Sequence, residues 1–61
     1  MLALRQLGPE YRIVLLLRYY QGLSLQEISG ALELPLGTVK SRLSVGTHRL
    51  RDLLVVMKEE V

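Results

Sequence analysis

Pro35 lies between two stretches that each carry helical spacing, Leu25 to Leu32 and Leu36 onward. The residue before a proline is pushed away from helical angles, so a single helix cannot run through this point. The chain must place two helices on either side of a tight turn, Glu33-Leu34-Pro35. Leu25, Ile28, Ala31 and Leu32 supply the inward side of the first helix. Ser24 and Glu27 form an S-x-x-E capping box at its start. Turns of this kind often place glycine where Glu33 stands. A left-handed backbone there would strain a glutamate by roughly 1 kcal/mol.

The second helix of the pair is predicted to start near Leu36 to Thr38 and run to about Lys58. Its inward stripe reads Val39, Leu43, Gly46, Leu50, Leu53 or Leu54, and Met57. Glycine in mid-helix costs roughly 0.5–1 kcal/mol against alanine. Gly46 on that stripe implies either a close approach of another helix or a hinge at Gly46-Thr47. Turning about 100° per residue puts Gly37, Ser41, Ser44 and His48 on the opposite side. Lys40 and Arg51 flank one edge of it, and Thr38, Val45 and Arg49 the other. Arg42 lies nearer the core edge. Small residues with flanking cations suit a helix that enters the major groove of DNA. The pair of helices has the build of a helix-turn-helix at about residues 24–45.

Gly8-Pro9 separates a short first segment, Leu2 to Leu7, from another helix. Pro9 suits its first position, and Glu10 suits the dipole of its first turn. Ile13, Leu16, Leu17 and Tyr20 keep helical spacing and are expected to face inward. Gly22 is expected to end this helix as a left-handed cap. Tyr11, Tyr19 and Tyr20 are read as core or core-edge residues, and Arg18 with Glu27 as a structural ion pair. Arg12 divides evenly between a surface salt bridge and a phosphate contact. The expected architecture is therefore all-α, a small four-helix domain spanning 1–61 with a long C-terminal recognition helix.

Composition limits the functions open to such a chain. Sixty-one residues allow one small domain with a thin core. Cysteine is absent, which removes disulfides, thiolate metal sites and thiol nucleophiles. His48 is the only histidine, so no metal site is expected, and no Ser-His-Asp geometry can be argued from it and Asp52, four residues on along the same helix; no cofactor or enzyme activity is expected. The longest apolar runs, Ile13 to Leu17 and Leu53 to Met57, are too short to span a bilayer. A cytoplasmic protein with no membrane partner is expected. From Leu34 to Arg51 the charged residues are Lys40, Arg42, Arg49 and Arg51, with no acid. Such a patch is the footprint of a phosphate-binding surface, and a solvated helix face is the plainer reading. Fifteen leucines and 49% apolar residues exceed what so thin a core can hide. Leu2, Leu4, Leu7, Leu36, Val55, Val56 and Val61 would form an exposed patch for a partner, unless the long last helix folds back over them.

The stretch GLSLQEISGALELPLGTVKSRL resembles region 4 of bacterial RNA polymerase sigma factors, and most of all the extracytoplasmic-function (ECF) group. The matching residues are Leu7-Gly8-Pro9, Arg12, Leu17-Arg18-Tyr19, Gly22, Ser24, Glu27-Ile28, and Pro35 through Arg42. The chain departs from the pattern at Glu33, where a turn glycine is usual, and at Ser29, where an alanine is usual. Gly8 interrupts the usual L-P, and Val45-Gly46-Thr47 replaces a basic run.

The resemblance implies a domain that recognises the promoter −35 element as duplex DNA. Lys40, Ser41 and Ser44 would lie near base edges, with Val45 and His48 beside them. Thr38, Arg42 and Arg49, together with the helix starts at Ser24-Leu25 and Gly37, would hold phosphates. Core RNA polymerase would be bound at the flap of its beta subunit, and an anti-sigma factor would cover the same surfaces. The resemblance also makes the chain a fragment of a longer factor. Two other readings stand beside this one: the DNA-binding domain of a LuxR-type regulator, and a protein-interaction module with little DNA affinity of its own.

Overall fold

A computed structural model describes residues 6–59, with side chains through Val55. Three α-helices, one wide helical turn and no strand occur among the described residues. Helix α1 spans Pro9–Leu15 and passes into one wide turn at Leu16–Tyr20, closed by i→i+5 bonding such as Gln21 N–H to the Leu16 carbonyl at 3.0 Å. Helix α2 spans Leu25–Leu32, and helix α3 spans Leu36–Glu59. The expected first segment, Leu2 to Leu7, falls mostly outside the described residues; Gln6 and Leu7 lie in a turn.

Local signals account for the boundaries. Pro9 opens α1 where a missing N–H costs nothing. Gly22 has φ 74, the left-handed backbone that ends this first unit. Ser24 Oγ accepts from Glu27 N–H at 3.1 Å, and Ser24 N–H donates to Glu27 Oε1 at 2.8 Å, completing the capping box. Leu23 and Ile28 both join the core on either side of that box, in the arrangement of a hydrophobic staple. Helix α2 ends at Glu33, whose φ of 56 and ψ of 45 are left-handed. Leu34 N–H then bonds back to the Ser29 carbonyl at 3.0 Å, the longer bond of a Schellman-type cap.

The core consists of Leu7, Val14, Leu15, Ile28, Val39 and Leu43. Burying each such side chain contributes roughly 1.5–3 kcal/mol. Helix α3 runs without a break through Gly46, so the hinge reading is set aside. Gly46 is buried, and a Cβ added there would lie 3.3 Å from both Leu15 Cδ1 and Tyr11 Cβ. The close approach is the reason for this glycine. Along the α3 stripe Leu53 turns inward and Leu54 outward, at 52% exposure. Met57 falls beyond the described side chains.

The inward face of α1 differs from the expectation. Val14 and Leu15 are buried and Tyr11 packs at the core edge, whereas Ile13 and Leu16 are exposed. Tyr19 and Tyr20 are exposed at 69% and 77%, so neither is a core residue. Residues 13 to 17 are all apolar, so their spacing does not select a face. An unbroken helix would carry the stripe of Tyr11, Val14 and Leu15 on to Arg18. The wide turn ends that register. Leu17 packs on the core, while Arg18 is exposed and its guanidinium donates to the Leu23 carbonyl at 2.9 Å. Arg18 therefore closes the α1–α2 connection and does not pair with Glu27, which belongs to the capping box. Two smaller corrections follow from the same packing. Ala31 is exposed, and Leu7 is buried in the core where an exposed patch was expected.

Two substitutions test this framework. Glu33→Gly removes the left-handed penalty and should raise the unfolding free energy by about 1 kcal/mol, seen as a higher urea midpoint at unchanged m-value. Gly46→Val should lower stability by about 1–3 kcal/mol through overpacking against Leu15 and Tyr11; a melting temperature equal to that of the parent would show that the helices are not in close contact there.

Candidate nucleic-acid interface

Helix α3 carries the surface singled out above. Lys40, Ser41, Ser44 and His48 are exposed, and Val45 is half-buried beside them. Eight residues of rise separate Lys40 from His48, roughly 12 Å along one rod. Arg49 is exposed and Arg42 half-buried, in keeping with their expected places beside the outer face and near the core edge. Ser44, Val45, His48, Arg49 and Asp52 line one shallow hollow. Asp52, four residues on from His48 along the same helix, adds a negative charge at the far end of the basic stretch.

Arg49 is held in position. Its guanidinium carbon lies 4.8 Å from the centroid of the Tyr11 ring, within cation–π range. Tyr11 is also the residue whose Cβ faces Gly46. The contact that brings α1 against α3 thus also sets the position of one cation. Spacing along α1 could not show this, because it depends on how α1 and α3 cross.

The two helix starts differ in what they leave free. At α2 the hydroxyl and N–H of Ser24 are both engaged by Glu27, so the N–H groups of Leu25 and Gln26 remain for an incoming oxygen. At α3 the Pro35 carbonyl accepts from Thr38 N–H at 3.0 Å and Val39 N–H at 3.2 Å. The N–H groups of Leu36 and Gly37 stay open, and Thr38 would reach an anion through its hydroxyl.

Hydrogen bonds from the Ser24 backbone, and then from its hydroxyl, hold the Glu27 carboxyl below its ordinary value of 4.5. A depressed folded-state pKa gives stability that is present above the unfolded value and lost as pH falls through the folded one. Among the described residues no cluster of metal-binding side chains occurs, and no helix is long and apolar enough to cross a membrane.

Comparison with known proteins places the chain in a family. The family described as "Sigma-70, region 4" matches residues 1–46, and the chain belongs to it. This is a family of transcription-initiation factors, not of enzymes. Within it the chain is a region 4 of the ECF group. It is 43% identical to the ECF RNA polymerase sigma factor SigE of Mycolicibacterium smegmatis over 95% of its own length and 23% of that protein. It is 45% identical to the ECF RNA polymerase sigma factor SigW of Bacillus subtilis over 80% of its length and 26% of that protein. The RNA polymerase sigma-E factor of Streptomyces coelicolor is 42% identical over 85% of this chain and 29% of its own. The chain therefore spans about a quarter of the length of these curated relatives. A LuxR-type regulator gives way to this membership.

Glu27→Gln should flatten the acid limb of the stability curve. The parent should lose stability as pH drops below about 4.5, while the glutamine variant, unable to titrate, should show a smaller loss over that range in urea titrations at stepped pH.

Proposed function

We propose that this chain binds duplex promoter DNA at the −35 element and docks on core RNA polymerase during transcription initiation, in the cytoplasm. The helix pair α2–α3 acts as the helix-turn-helix, with α3 as its recognition helix. The observation that carries this reading is the outer face of α3, where exposed Lys40, Ser41, Ser44 and His48 lie in a stretch free of acid from Leu34 to Arg51. Lys40, Ser41 and Ser44 read base edges, with Val45 and His48 beside them. Arg42, Arg49, the Thr38 hydroxyl and the open N–H groups at Gly37 and Leu25 hold phosphates on either side. Ser24 contributes by capping the helix whose first N–H groups face the backbone.

Polymerase docking, on the flap of the beta subunit, draws support from the apolar surface that α1 leaves uncovered. Ile13, Leu16 and Tyr20 lie three and four residues apart and are all exposed. An anti-sigma factor would compete for such a surface. A second reading, a protein-interaction module with little DNA affinity of its own, is favoured by Val45-Gly46-Thr47 in place of basic residues and by Asp52 in the hollow with His48 and Arg49.

Fluorescence anisotropy with a labelled duplex containing an AAC-type −35 element, beside a scrambled duplex, over a salt series, separates the two. A reader binds selectively, with a steep salt slope. Lys40→Ala should lower specific binding by about tenfold and nonspecific binding much less. Arg49→Ala should weaken both alike and reduce the salt slope by about one. Equal losses for both duplexes with Lys40→Ala would make Lys40 a phosphate contact, and flat, unselective binding by the parent would favour the interaction module.

A further inference from the structure

Three residues, Glu33, Leu34 and Pro35, set the heading of α3 relative to α2. Glu33 is fixed in the left-handed region at φ 56. Pro35 has its φ locked by its ring, and Leu34 is restricted because a proline follows it. Leu34 is also gripped from one side by a single residue. Its N–H donates to the Ser29 carbonyl at 3.0 Å, and its own carbonyl accepts from the Ser29 hydroxyl. Both polar groups of the central turn residue are thereby tied to one position in the last turn of α2. The backbone half of this clasp is available to any residue at position 29. The hydroxyl half needs serine or threonine. The same turn carries a glutamate at left-handed φ, so a strained backbone and a side-chain hydrogen bond occur together.

We propose that Ser29 is a positioning residue for recognition: its two-point hold on Leu34 fixes the heading of α3 and so sets the sequence selectivity of the Lys40–His48 face. The selectivity part rests on the promoter-reading function above; the heading part does not. Ser29 is half-buried and its hydroxyl is engaged within the protein. It acts through the helix it orients.

The test uses the 61-residue chain with Ser29→Ala, Ser29→Thr and the pair Ser29→Ala/Glu33→Gly. Each is measured for melting temperature, for the ratio of affinities to the −35 and scrambled duplexes, and for residual dipolar couplings without DNA. Ser29→Ala should lower the affinity ratio about fivefold, the scale of one net hydrogen bond. The salt slope should not change, because no phosphate contact is lost. Ser29→Thr should restore most of the ratio. The paired variant should regain melting temperature through relief at position 33 without regaining the ratio, and the couplings should report a changed α2–α3 angle in both alanine variants. An unchanged ratio and unchanged couplings in Ser29→Ala would overturn the proposal, as would a ratio that recovers together with melting temperature, since either leaves Ser29 a stabilising residue only. A parent without selectivity whose couplings still shift on Ser29→Ala would sink promoter reading and leave the control of helix heading standing.

Discussion

The contact of Gly46 with Leu15 and Tyr11 is the packing on which the rest of the domain is built. It lets α1 approach α3 so closely that even a Cβ would be crowded, at 3.3 Å from Leu15 and Tyr11. That closeness brings Val14 and Leu15 against Val39 and Leu43 and closes the core with Ile28 from α2. Tyr11, held against the glycine, offers its ring to Arg49. In a core of six buried side chains, such an approach compensates for small size by tighter packing. The helix-propensity cost of a mid-helix glycine, roughly 0.5–1 kcal/mol, is small beside the burial it allows.

The helix ends are organised on a different principle. Gly22 and Glu33 bracket α2 with left-handed backbone, one without strain and one with it. The Ser24–Glu27 box holds its first turn, and Ser29 holds the residue after its last. Most of the side-chain hydrogen bonding of the described residues thus serves the short helix and its connections. Helix α3, three times as long, relies on its own backbone and on the apolar stripe beneath it.

What the sequence disclosed follows from how local each signal is. The capping box, the left-handed Gly22, the turn at Glu33, the start of α3 and the inward placing of Val39, Leu43 and Gly46 all depend on residues a few positions apart. Each was legible. The facing of α1 was not, because five consecutive apolar residues give no periodicity, and the wide turn at Leu16–Tyr20 has no composition cue. Arg18 was assigned Glu27 as a charged partner across two neighbouring helices, yet its guanidinium reached the Leu23 carbonyl brought close by that turn. The outer face of α3 was legible as a list of residues. The stacking of Arg49 on Tyr11, and the hold of Ser29 on Leu34, depend on crossing angles and turn torsions that no spacing encodes.

Helix α3 extends for 24 residues, roughly 36 Å, along a molecule whose longest dimension is 40 Å. It has no hinge at Gly46, so its two ends form one stiff beam pivoting on the core. The polar end carries Lys40 and Ser41, and the other end bears Leu54 and Val55 in the open. Mechanically this is a lever with its fulcrum near Gly46. A load placed on the exposed leucine end acts as a torque on the polar end, and a body gripped at Lys40 and Ser41 fixes where the other end points.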